Sequence, residues 1–151
     1  MFCNRKISMN RRNFIVCGLT GWCMEIFFTS LGSARKKDWH LQGQSSAWMF
    51  PIYGMASGFD MIYPKIKHWS TLQRGLCYGI LIMSGEYLSG SLLSAFDVCP
   101  WDYKDAKYAI KGIVRMDYLP FWMIAGLFFE WILQKCKVEE NVMKEPMAKT
   151  N

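Results

Sequence analysis

Apolar residues in this chain gather in long blocks rather than alternating with polar ones, so the pattern predicts helices and not strands. The longest block is residues 76–96, LCYGILIMSGEYLSGSLLSAF, with one ionisable side chain, Glu86. As a helix it would be roughly 30 Å long, which matches the hydrocarbon thickness of a bilayer. A helix apolar on every side can also be the centre of a soluble bundle. A chain of 151 residues rarely builds a core wide enough to surround one, so a membrane span is the expectation.

Three further blocks follow the same reading. Residues 14–31 resemble a secretory signal in having a basic segment before them and Gly32, Ser33 and Ala34 after them. Glu25 inside the block argues for a retained first span. Gly18, Gly21, Glu25, Thr29 and Gly32 recur at spacings of three and four and form a small, polar stripe that would face other helices. Residues 47–63 are short for a span and contain Pro51, with Gly54 and Gly58 in a GxxxG arrangement and Asp60 near the far end. Residues 118–133 are shorter still and carry Glu130 one turn after Gly126. Along the 76–96 block and the residue before it, Gly75, Gly79, Glu86, Gly90 and Ser94 share one face. Each of three helices thus sets its acid beside small residues.

Residues 97–117 are too charged to span. Trp101, Tyr103, Tyr108, Ile110, Ile113 and Val114 alternate with Lys104, Lys107, Lys111 and Arg115, a composition suited to the headgroup level or to a solvated loop. The predicted fold is an all-α membrane protein of four transmembrane helices, with an amphipathic interfacial segment between the third and fourth. Residues 1–13 read as a basic N-terminal tail, 14–134 as the transmembrane domain and 135–151 as a polar, disordered C-terminal tail.

Charge refines the picture. The net charge is +6, but the eighteen Lys and Arg sit in small groups beside apolar blocks. Cations so placed suit lipid headgroups; a nucleic-acid partner would call for one clustered face. Four spans put both ends on one side. That side, with the 64–75 turn, holds eleven of the eighteen cations, so both termini are expected in the cytoplasm. Mean hydropathy is only +0.04 because the polar ends and connections dilute the spans. The six cysteines form no CxxC pair and only His40 and His68 supply imidazole, so no metal site or cofactor is expected.

Several unusual blocks are similar to a known family: GWCMEIFFTSL, LQGQSSAWMFPIYG, the stretch Gly85, Glu86, Tyr87 through Gly90, CPWDY, and residues 112–130. They resemble the vertebrate transmembrane protein 229 proteins and, more distantly, bacterial membrane proteins labelled putative ABC-transporter type IV. The resemblance covers about residues 14–131. It places Trp22, Glu25, Gly43, Pro51, Tyr53, Gly54, Glu86, Tyr87, Gly90, Trp101, Asp102, Tyr103 and Gly112 on motif positions. Lys104 and Ala109 stand where the pattern has Ser and Asn. A multi-pass membrane protein is what the resemblance implies.

The acids are the candidate chemistry. Glu25, Glu86 and Glu130, with Tyr53 and Tyr87, form a candidate intramembrane site, and Trp101, Asp102 and Tyr103 form an interfacial motif. The carboxylates can be packing clamps hydrogen-bonded to neighbouring helices. They can equally converge to hold a cation, a proton or the amine headgroup of a lipid, since no spanning helix carries a Lys or Arg near its middle. A transport path would call for a homo-oligomer. A membrane-embedded lipid-modifying enzyme is the remaining alternative, but no GxSxG, HExxH, P-loop or Cys–His arrangement names a catalytic residue. Membrane lipids are the expected partners.

Overall fold

In a computed structural model, residues 11–35 and 37–148 are described, with side chains through 139. Most of the basic tail expected over 1–13 and residues 149–151 lie outside that range. Helix α1 is Arg11–Arg35. A broken helical run follows: α2 Met49–Gly54, a 3-10 turn Met55–Gly58 and α3 Phe59–Ile66. Helix α4 is Thr71–Ala95, opened by a capping box in which the Ser70 side chain accepts from the Gln73 amide and Gln73 accepts from the Ser70 amide. Strands β1 Ala109–Ile110 and β2 Val114–Arg115 pair antiparallel. A 3-10 turn Met116–Tyr118 leads into α5, Leu119–Ala148.

The chain is mostly helical, with four helical stretches. Three segments are long and apolar enough to cross a membrane: Arg11–Arg35, Thr71–Ala95 and Met116–Glu139. The expected span over 47–63 is not a fourth of the same kind. Its eighteen helical residues are interrupted at Met55–Gly58, a 3-10 turn that follows Gly54 and ends on Gly58. The amphipathic interfacial segment expected over 97–117 finds no support either. Pro100, the β-branched Ile110, Ile113 and Val114, and Gly112 at φ +70° build a loop with a minimal hairpin. Val114 is buried, and a side chain at Gly90 would meet Ile113 at 2.4 Å, so the hairpin packs tightly on the end of α4. At the other end α5 continues as helix past the expected boundary at 133. Residues 135–148 are rich in Lys, Glu and Met, all good helix formers. Their first turn is tied down where Lys137 pairs with Asp60 at 3.0 Å and Arg12 donates to the Cys136 carbonyl.

Packing joins α1 to the 49–58 segment and α4 to α5, while α1 and α4 do not pack extensively on each other. Glycine governs both pairings. A Cβ at Gly21 would fall 2.1 Å from the Tyr53 ring, and one at Gly126 would fall 2.3 Å from Tyr78 Cβ. The interior holds Cys17, Phe59, Tyr78, Phe129 and Leu133, with Met83, Trp122 and Ala125 above them. Outside, Leu88 and Ile124 are each 69% exposed and Phe27 is 62% exposed. A surface this apolar on several helices is what lipid-facing helices present and what water penalises.

Candidate functional site

The polar stripe of α1 has a specific occupant. Residues 42–46 run back along it in extended form, held by one side chain per turn. Ser33 Oγ donates to the Gln42 carbonyl at 2.9 Å, and Thr29 Oγ1 both donates to the Gln44 carbonyl and accepts from its amide at 2.9 and 2.8 Å. Ser45 Oγ donates to Glu25 Oε2 at 3.0 Å, and Trp22 Nε1 to the Ser46 carbonyl at 3.1 Å. Gly43 passes so close that a Cβ would meet the Ile26 carbonyl oxygen at 2.3 Å. From Ser33 to Trp22 this ladder descends about 16 Å, to the middle of α1. Non-helical backbone at such depth persists only where protein or a cavity satisfies it.

Between α1 and α4 lies a cavity of about 1180 Å³. Its lining brings together Glu25 from α1, Tyr53 from α2, Glu86 from α4, and Trp101, Asp102 and Tyr103 from the loop. Trp122 Nε1 donates to Glu86 Oε2 at 3.2 Å. Tyr53 stands within electrostatic reach of both carboxylates. Among the described residues neither Glu25 nor Glu86 pairs with Lys or Arg.

The loop closes one end. Trp101 packs over Gly90 and its Nε1 donates to the Ile113 carbonyl at 3.0 Å. Burial pushes the Tyr103 phenol well above its ordinary range, and the neighbouring Glu86 charge adds to the effect. Asp102 is exposed and 3.0 Å from Lys104 Nζ, whose hydrogen bond holds the carboxyl below the usual range. Arg115 stacks on Tyr118 at 4.2 Å and pairs with Asp117, fixing Tyr118 at the rim.

Two candidates stand apart. Glu130 is buried away from the cavity, with Arg74 Nε 3.0 Å from its Oε2, because antiparallel pairing sets residue 130 opposite the first turn of α4. Tyr87 turns to the hairpin, where the Lys111 ammonium lies 5.8 Å from its ring centre, and it does not line the cavity.

Among the described residues no three of His, Cys, Asp or Glu come together as a metal site. Neither His nor Cys lines the cavity. What the arrangement offers is two carboxyl groups without a basic partner among the described residues, aromatic faces and an apolar wall.

A family model described as Putative ABC-transporter type IV matches residues 12–149. The chain belongs to this family. That match spans every element described above, so the type IV family accounts for the membrane character of the three long apolar helices. No solved structure matches the chain.

Three features of this type IV site escape a reading of the sequence: the Trp122 donor, the Arg74 partner of Glu130 and the ladder. Thr29 on the small-residue stripe was the available signal for the ladder, since a hydroxyl there can bond a neighbouring backbone. Trp122 and Arg74 lie 36 and 56 residues from their partners, and no local pattern carries such pairings.

Proposed function

We propose that this protein binds a monovalent organic cation, an ammonium, in the cavity between α1 and α4. The reading rests on one observation: Glu25 and Glu86 line the same cavity and receive hydrogen bonds from neutral donors only. A hydroxyl or an indole satisfies a carboxylate oxygen without neutralising it. A charge within a bilayer costs at least about 3 kcal/mol, so a mobile cation is the natural complement. Trp101, Trp122, Tyr53 and Tyr103 add aromatic faces of the kind that favour ammonium groups.

The family description supports a transporter-like role, and a path through so small a bundle calls for a homo-oligomer. We read the chain as multi-pass, with the broken run 49–66 as the second of four crossings and both termini cytoplasmic. Lipids are its surroundings, and nucleic acid is not a partner. Kinship with the transmembrane protein 229 proteins rests on the shared blocks.

A second reading has its own support. Glu25 meets Ser45, Glu86 meets Trp122 and Glu130 meets Arg74, so all three acids can be clamps. Equilibrium binding of tetraphenylphosphonium to purified protein in maltoside micelles separates the two. Cation binding predicts saturable uptake that falls at least tenfold in Glu25→Gln and Glu86→Gln at unchanged melting temperature. Equal uptake by the wild type and both variants, or no uptake at all, leaves the acids as clamps.

A further inference from the structure

Part of the cavity rim is apolar and exposed, and its make-up bears on what enters. Gly32 of α1, Gly58 between α2 and α3, and Gly85 of α4 all line it, and a Cβ built on any of the three meets nothing within 4 Å. Around them stand Leu31, Met55, Met61 and Leu81, all apolar and 39–63% exposed. Aromatic rings build much of the rest of the wall. Phe28 and Phe121 meet edge to face at 4.3 Å, the Trp101 and Tyr103 loop covers one end, and Tyr53 and Phe129 close the floor. This stretch of rim, the candidate mouth, lies among α1, α3 and α4 on a face whose side chains match acyl chains, and an apolar rim disfavours a hydrated ion.

Size and charge narrow the occupant. About 1180 Å³ exceeds the roughly 300–1,000 Å³ of ordinary small-molecule sites, which leaves room for a hydrocarbon body. The one basic residue in the lining, Arg35, is ten residues beyond Glu25, roughly 15 Å along α1. A phosphodiester a few bonds from an ammonium would sit among carboxylates with no cation beside it.

Resting on the ammonium site proposed above, we infer that the ligand is a long-chain amine without an anionic group, admitted from the bilayer through the α1–α3–α4 mouth. Its ammonium lies toward Glu25 and Glu86 and its chain lies out past Met55, Met61 and Leu81.

The test is photolabelling in phosphatidylglycerol nanodiscs with an octadecylamine carrying a mid-chain diazirine, with adducts mapped by mass spectrometry. The inference expects adducts concentrated at Met55, Met61 and Leu81, reduced at least fivefold in the Glu25→Gln/Glu86→Gln double variant. Gly85→Leu, which projects a side chain into the mouth, removes those adducts. Adducts spread evenly over lipid-facing Leu88 and Ile124 overturn the inference, as does equal mouth labelling by a diazirine phosphatidylethanolamine. If tetraphenylphosphonium binds but the mouth is unlabelled, the cation site stands and the lateral route falls. If neither binds, both fall.

Discussion

Glu130 and Arg74 show how an acid in an apolar helix acquires a purely structural task. The pair is nearly dry, with side chains 10% and 19% exposed. Removing one partner strands a charge, at a cost of about 3 kcal/mol or more, whereas replacing both by apolar groups is often neutral. Glu130→Ala should therefore lower the thermal unfolding temperature markedly, and Arg74→Met combined with Glu130→Leu should recover most of the loss. Differential scanning fluorimetry in micelles checks both. Glu86 behaves differently because its donor is neutral. Trp122→Phe should cost about 1.5–3 kcal/mol, the worth of a hydrogen bond to a charged group, and urea unfolding followed by circular dichroism would measure it. The sequence displays all three glutamates as misfits in apolar blocks. It does not display which of them has a counter-ion, because a neutral donor and a cation both lie far along the chain from the acid they meet.

At the scale of elements, glycine placement decides which helices touch. Gly21→Val would drive a side chain into the Tyr53 ring and should destabilise by about 1–3 kcal/mol. Gly32→Ala points into open space and should stay within about 0.5 kcal/mol of the wild type. Chemical denaturation of the two variants side by side tests the contrast. The three helices long and apolar enough to cross a membrane were legible from composition because length and apolarity are local properties. The 47–63 block was less legible, for a physical reason. Counting residues presumes that a helix starts at the membrane surface, yet here extended chain runs down α1 before α2 begins. Residues 97–117 were illegible in another way, since their apolar and basic alternation fits a hairpin loop as readily as an interfacial segment.

For the whole molecule the distribution of polarity departs from that of a soluble bundle: Glu25 and Glu86 line an internal cavity and Glu130 is buried, while Phe27, Leu88, Leu92 and Ile124 face outward. Membrane extraction follows directly. Carbonate at high pH should leave the protein in the pellet, and detergent should release it. The proposed even number of crossings puts both ends on one side, so epitope tags at residues 1 and 151 should be cleaved together by protease added to sealed vesicles. Cleavage of one tag alone would require an odd number of crossings.

The ladder over residues 42–46 has a consequence for how this region can change. Its rungs end mostly on main-chain carbonyls and amides, so α1 recognises the path of the chain more than the identity of its side chains. A saturation scan should find Gln42 and Gln44 permissive to nearly any residue except proline at 44, whose amide is used. Gly43 should reject everything, because Ile26 leaves no room for a side chain. The region can thus vary widely in letters while keeping its course, provided one glycine stays where it is.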